Sequence, residues 1–256
     1  MNAMSTQERL RGILNLLETN GSTLVSQLAA RFQVSEMTIR RDLIALERKG
    51  VLYRVHGGAV SSRGRSYEPP FIVRQMKNLD EKRRIGEAAA GLVNAGETLI
   101  LDVGTTTLEM ARHLLGKRNI TVITPSLHIA NLLTEQPGIR LILPGGILRK
   151  GELSLVGSLA ERAFQDFFVD KLFLGVGAID FQAGLSEFNL EDSQVKKAML
   201  RSAKEIVVLA DASKFGQVAF ASIAPLKVVG RIVTDQSLDP ALLARLQEEK
   251  IEVLLA

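Results

Sequence analysis

The sequence predicts an α/β protein in two parts: a small helical module carrying a β wing, then a larger domain with a mostly parallel, Rossmann-like sheet. Three observations predict it. Over residues 1–60, apolar residues recur at helical spacing and end in an alternating stretch punctuated by Gly57-Gly58. From about residue 80 onward, seven short apolar runs alternate with helical patterns. Between these regions, Ser61-Ser62, Arg63-Gly64-Arg65 and Pro69-Pro70 supply no core and interrupt any helix. At 256 residues and 46% hydrophobic content there is material for two cores. The expected boundaries are a first domain over 1–60, a linker over 61–79 and a second domain over 80–256.

In the first domain, Ser5 and Glu8 form a capping-box pattern, Leu10, Ile13, Leu14 and Leu17 repeat at helical spacing, and Gly21 is a stop signal. Ser22 or Thr23 is placed to cap a second helix with Leu24, Leu28, Ala29 and Phe32 on its apolar face, ending in a turn at Gln33-Val34. Ser35 then caps a third helix. At 100° per residue Ile39, Leu43 and Leu46 point inward, Met37, Arg41 and Arg48 outward, and Thr38 and Arg40 lie on the flanks. The run Leu52 to His56 followed by two glycines reads as two short strands around a wing.

Charge sharpens this pattern. Residues 1–84 carry 15 Lys/Arg and 8 Asp/Glu, whereas residues 85–256 carry 17 and 20, so only the front of the chain is basic. Two helices joined by a short turn, the second cationic on its exposed face, fit a winged helix-turn-helix that meets double-stranded DNA. The groove-facing candidates are Ser35, Glu36, Met37, Thr38, Arg40 and Arg41, with Thr38 and Arg41 favoured for bases and Arg54 and His56 placed near phosphate.

In the second domain the candidate strands are 98–103, 120–124, 140–143, 172–176, 206–209, 229–233 and 251–255. Open α/β sheets bind ligands at the carboxyl ends of their strands, so the residues after each run matter most. Asp102 and Gly104-Thr105-Thr106-Thr107 follow the first strand and read either as a phosphate cradle at a helix N-terminus or as a plain cap. Ser126, Gly145 and Gly146, Gly175 and Gly177, Asp180, and Lys214 follow later strands. Recurrence of such residues at one sheet end points to a shared pocket for an anionic, hydroxyl-rich ligand.

Other classes are excluded or disfavoured. The absence of Cys removes disulfide frameworks, thiolate metal sites and a Cys nucleophile, and fits a reducing compartment, with the cytoplasm as default. Nothing near Met1 reads as a signal peptide, and no apolar run approaches the roughly 20 residues of a membrane span. His56, His113 and His128 are scattered and no metal-ligand spacing is present, so neither metal nor cofactor is expected.

The segment Val34-Ser35-x-x-Thr38-Ile39-Arg40-Arg41-Asp42-Leu43, with the trailing Arg54-x-His56-Gly57-Gly58-Ala59, resembles the DeoR-type family of bacterial transcription regulators, and the resemblance extends over nearly the whole chain. It implies a repressor of sugar or polyol catabolic genes, working as a homo-oligomer, dimer or tetramer. Its second domain is similar in turn to ribose-5-phosphate isomerase and serves as a sensor domain. There the resemblance implies that Gly104, Thr105 and Thr106 take phosphate and that Asp102, Gly145, Gly146, Asp180, Glu187, Lys196 and Lys214 surround the polyol. Glu187 and Lys196 fit a solvated face equally well. The alternative is an isomerase-like enzyme with an appended DNA-binding module. Against it stands Val176, where the isomerases carry an acid, since Val moves no proton.

Overall fold

The computed structural model describes residues 6–20, 22–48, 50–55, 57–61 and 65–256. Ser5, Gly21, His56 and residues 62–64, to which the sequence assigns a cap, a stop, a phosphate contact and part of the linker, lie outside the described residues. The chain divides into two compact units, Met1–Pro69 and Pro70–Ala256.

The first unit runs α1 (Thr6–Asn20), β1 (Ser22–Leu24), α2 (Val25–Phe32), α3 (Glu36–Arg48), β2 (Leu52–Val55) and β3 (Gly58–Ser61). Its core gathers Ile13 and Leu17 of α1, Val25 and Leu28 of α2, Ile39, Leu43 and Leu46 of α3, and Leu52 and Ala59 of the wing. These are the inward positions that the helical period selects. One expectation is corrected. Ser22 and Thr23 do not cap α2, and Leu24 is not on its apolar face but 49% exposed. Residues 22–24 extend instead and pair antiparallel with β3, opposite Val60, Ala59 and Gly58. The backbone of these three residues finds its partners in that ladder. Gly58 makes the pairing possible, since a Cβ at that position would lie 2.2 Å from the Thr23 carbonyl oxygen.

The second unit opens with α4 (Phe71–Met76) and α5 (Leu79–Gly91). It therefore begins inside the stretch expected to be linker. The reason is Phe71, which is buried and stacks on His128 with ring centroids 4.2 Å apart. The chain continues through β4 (Thr98–Leu101), α6 (Thr105–Arg112), β5 (Ile120–Ile123), α7 (Leu127–Leu133), β6 (Ile139–Ile142), β7 (Ile147–Arg149), β8 (Ser154–Val156), α8 (Ser158–Gln165) and β9 (Val169–Gly175). It ends with β10 (Ala178–Asp180), β11 (Gly184–Glu187), α9 (Leu190–Ser202), β12 (Ala203–Leu209), β13 (Ala221–Ala224), β14 (Arg231–Thr234), α10 (Pro240–Glu248) and β15 (Glu252–Leu255).

Seven strands form one sheet in the order β15-β14-β12-β9-β4-β5-β6, every neighbouring pair parallel. They are the seven apolar runs of the sequence. Alternate residues face opposite layers: Ile100, Leu172, Leu174, Val208 and Ile232 pack with α8, α9 and α10, whereas Leu99, Leu101, Phe173, Val207 and Val233 pack with α5, α6 and α7. Burial on both faces explains why these strands read as continuous apolar runs. The strand order reverses between β4 and β9, because the chain steps from β4 outward to β5 and β6 before returning to β9 on the other side. That reversal opens a crevice at the carboxyl ends of β4 and β9.

Candidate functional site

The exposed face of α3 carries the nucleic-acid candidates. Ser35 caps the helix, its hydroxyl accepting from the Thr38 N–H at 3.2 Å and lying 2.9 Å from the Thr38 hydroxyl. Glu36, Met37, Arg40 and Arg41 are exposed and Thr38 is half-buried, with Arg40 lying 3.4 Å from Glu36 one turn earlier. Asp42, between these arginines and the core, is buried and takes the Arg9 guanidinium of α1 with both oxygens, at 2.5 and 3.1 Å. The Ile-Arg-Arg-Asp-Leu run thus serves three ends at once. Ile39 and Leu43 fill the core, Asp42 locks α3 to α1, and Arg40 and Arg41 face solvent.

Arg54 on the wing is committed further than the sequence suggests. Its guanidinium meets Glu47 at 2.7 Å and its backbone N–H donates to the same carboxylate at 3.0 Å. The residue therefore holds β2 against α3, and its charge is partly neutralised in doing so. Neither Arg9 nor Glu47 stands out in the sequence as a functional residue. The signal for Arg9 is nonetheless present there, since it shares the spacing of Ile13 and Leu17 and so places a cation on an apolar stripe.

In the second unit the crevice holds a buried charge cluster. Asp102, at the end of β4, accepts from the Gly175 N–H at the end of β9 at 3.0 Å. The Lys196 ammonium from α9 donates to Asp102 and, at 2.9 Å, to the Gly175 carbonyl, and it stands 3.3 Å from Glu187. Lys196 is 1% exposed, which removes the solvated-face reading for it, and Glu187 is buried as well. Burial pushes the Asp102 carboxyl up to about 6 against the pull of Lys196. Burial alone would depress the Lys196 ammonium, yet Asp102 and Glu187 hold it above its usual value. The second oxygen of Asp102 is buried without a hydrogen-bond partner among the described residues.

Gly104 ends this strand turn with φ 143°, and α6 starts directly after it with no side-chain cap. Thr105, Thr106 and Thr107 are buried in its first turn. The Thr107 hydroxyl donates to the Gly104 carbonyl at 2.9 Å, so its proton fastens the turn. No side chain takes up the first N–H groups of α6 as a cap.

Other expected residues divide into those near this cluster and those held elsewhere. A Cβ on Gly175 would lie 2.7 Å from the Val103 carbonyl oxygen, and one on Gly177 would lie 2.9 Å from a Glu187 oxygen, so both glycines serve close packing around the cluster. Gly146 packs on β8, where a Cβ would meet the Val156 carbonyl oxygen at 2.7 Å, while Gly145 is exposed. Ser126 caps α7, accepting from Ile129 at 3.3 Å, and bridges to Ser154 of β8. Lys214 is half-buried in the short turn Ala212–Lys214, its ammonium 5.8 Å from the Phe188 ring centre. Burial lowers its pKa, with Arg74 and Lys77 adding to the effect and Asp211 and Glu187 opposing it.

Asp180 is the departure. It closes the β10–β11 hairpin, one oxygen accepting from the Gln182 and Ala183 N–H groups at 2.8 and 2.7 Å, so that oxygen is engaged by its own turn. A carboxylate engaged by its own turn sits below the usual range, as its lowered pKa shows. Val176, directly after β9, is buried.

Comparison with known proteins agrees with both halves. Residues 9–64 match the DeoR-like helix-turn-helix domain and residues 77–236 match the DeoR C terminal sensor domain. The chain is 39% identical to the HTH-type transcriptional regulator YulB of Bacillus subtilis (strain 168), over 98% of this chain and 96% of that protein. It is 34% identical to the HTH-type transcriptional repressor GlcR of the same organism, over 98% and 97%. The glycerol-3-phosphate regulon repressor of Escherichia coli (strain K12) is 32% identical over 91% and 92%. Among solved structures, ribose 5-phosphate isomerase A from Methanocaldococcus jannaschii aligns over 54% of this chain and 55% of its own, with 23% identity and a TM-score of 0.41.

Proposed function

Because the chain belongs to the DeoR family of transcription regulators, and so is a regulator and not an enzyme, we propose that it represses carbohydrate or polyol catabolic genes and releases operator DNA on binding a phosphorylated sugar. The observation that carries the ligand reading is the pairing, at the β4–β9 crevice, of an unsatisfied buried carboxylate oxygen on Asp102 with an uncapped helix N-terminus two residues later. The first accepts a sugar hydroxyl and the second takes a phosphate. Gly104, Thr105 and Thr106 are assigned to the phosphate, with Asp102, Glu187 and Lys196 ordering the polyol and Lys214 supplying a second cation. Relatives named as repressors, one of them of a glycerol-3-phosphate regulon, support the output.

On DNA, Arg41 and Thr38 read bases while Arg40 and Arg54 hold phosphates. The protein works in the cytoplasm as a homo-oligomer, dimer or tetramer, because paired recognition helices match paired half-sites. Calorimetry with ribose 5-phosphate, fructose 6-phosphate and glycerol 3-phosphate tests the sensor, alongside a gel shift on DNA upstream of the chain's own gene. Heat from at least one sugar phosphate and release of the shifted band are expected. Silence from a full panel of phosphorylated sugars contradicts the sensor, and turnover of any member contradicts the non-catalytic assignment.

A further inference from the structure

Residues 71–78 are the first of the second unit and follow Pro69-Pro70 directly. Their attachments reach α7, the β7–β8 turn and the turn that carries Lys214. Phe71 stacks on His128, two residues past Ser126. Arg74 pairs with Glu152 in the β7–β8 turn, beyond Gly145 and Gly146. Asn78, in the left-handed conformation at φ 52°, donates from its side-chain amide to Asp211 at 3.0 Å. That same Asp211 oxygen accepts from the Ser213 N–H at 3.1 Å and so shapes the turn that carries Lys214. From α5 the buried Lys82 ammonium reaches the carbonyls of Arg74 and, at 2.5 Å, Lys77 at the end of α4.

This residue set concentrates cations. Arg74, Lys77, Lys82 and Lys214 bear on one another around Asp211, with Arg74 also paired to Glu152 and Lys214 also influenced by Glu187, and Lys82 is pulled down to about 8, by burial first. An anion arriving beside Lys214 offsets part of that repulsion and so favours the charged Lys82 ammonium that donates to the Arg74 and Lys77 carbonyls. We propose that residues 71–78 form a strap that tightens when the pocket fills and passes occupancy to the linker, with Asn78 and Lys82 as its positioning residues. This rests on the pocket reading above.

The test uses the full-length protein and whichever of ribose 5-phosphate, fructose 6-phosphate and glycerol 3-phosphate gives heat in calorimetry. Amide hydrogen exchange at residues 74–78 is expected to slow by about five-fold or more when that probe is bound. In Asn78→Ala and Lys82→Met, probe affinity is expected to stay within about three-fold of the parent while operator release requires about ten-fold more probe. Lys82→Arg, which keeps the cation and its donors, is expected to restore release. Should Lys82→Met fail to fold, the exchange measurement on the parent and Asn78→Ala decide. Heat of binding with unchanged exchange, or variants that release operator at the parent's probe concentration, overturns the strap and leaves the pocket intact. Silence from a full panel of phosphorylated sugars removes the pocket reading and the strap with it.

Discussion

Arg41 and Asp42 are adjacent in sequence and opposite in fate, one exposed on α3 and the other buried against Arg9. Their substitutions are therefore expected to separate. Asp42→Ala leaves a buried guanidinium without its partner and is expected to destabilise the first unit by about 3–5 kcal/mol, measured by chemical denaturation. Arg41→Ala is expected to leave stability within about 0.5 kcal/mol and to cost about 1–3 kcal/mol of operator affinity, measured by fluorescence anisotropy. An Arg41 variant that keeps full affinity removes the assignment of α3 as the reader. Glu47→Gln tests the wing, since it frees Arg54 for phosphate at the expense of the β2–α3 clasp. Residues such as Asp42 and Lys196 were legible as motif letters but not as buried ions. Their partners Arg9 and Asp102 lie 33 and 94 positions away, a separation that local spacing cannot encode.

At the scale of elements, the strongest signals were the ones with a period. All seven strands of the parallel sheet stand where continuous apolar runs place them, because both faces are covered. The short antiparallel pieces β1, β7, β8, β10, β11 and β13 were not legible, since three or four residues show no period and owe their form to a tertiary partner. Helix α5 illustrates the same divide. Its apolar stripe of Ile85 and Ala89 was evident, but Lys82 on that stripe gave no sign of being a buried ion. Its folded-state pKa of about 8 lies below the ordinary 10.5. The unfolded chain therefore binds more protons between those values, and the contribution of this group to stability rises as pH climbs from about 8 to about 10. Denaturant melts across that window are expected to show the parent gaining up to about 3 kcal/mol more than Lys82→Met, and parallel profiles would contradict it. Gly86 on the same helix lets α6 approach closely, a Cβ there lying 2.6 Å from the Met110 nitrogen. Gly86→Ala is expected to lower stability by about 1–3 kcal/mol.

For the whole molecule, the division of charge found in the sequence follows the division of labour. Residues 1–69 alone carry 10 Lys/Arg and 6 Asp/Glu, so operator affinity is expected to fall steeply with salt, by roughly ten-fold or more between 50 and 200 mM, whereas sugar-phosphate affinity falls much less. Parallel titrations of both ligands across that range check it, and equal salt slopes would contradict the assignment. The two compact units divide between Pro69 and Pro70, where the composition changes sharply. The starting point of the second unit was not legible in the sequence, because Phe71 declares itself only through its stack on His128.

The cluster at the crevice joins Asp102 to Lys196 across 94 positions, and the turn bearing Lys214 lies further on still. The first unit draws its core entirely from residues before Pro69. During synthesis from the N-terminus the two abilities therefore mature at different moments. At ~5–20 residues per second the reader's core is complete roughly 7–30 s before Lys214 is even joined to the chain. A truncated or stalled product that folds its first unit is expected to bind DNA while lacking the pocket proposed for the sugar phosphate. Nonsense mutations beyond the linker are consequently expected to act as dominant, permanently silent alleles, wherever the fragment still pairs on its operator.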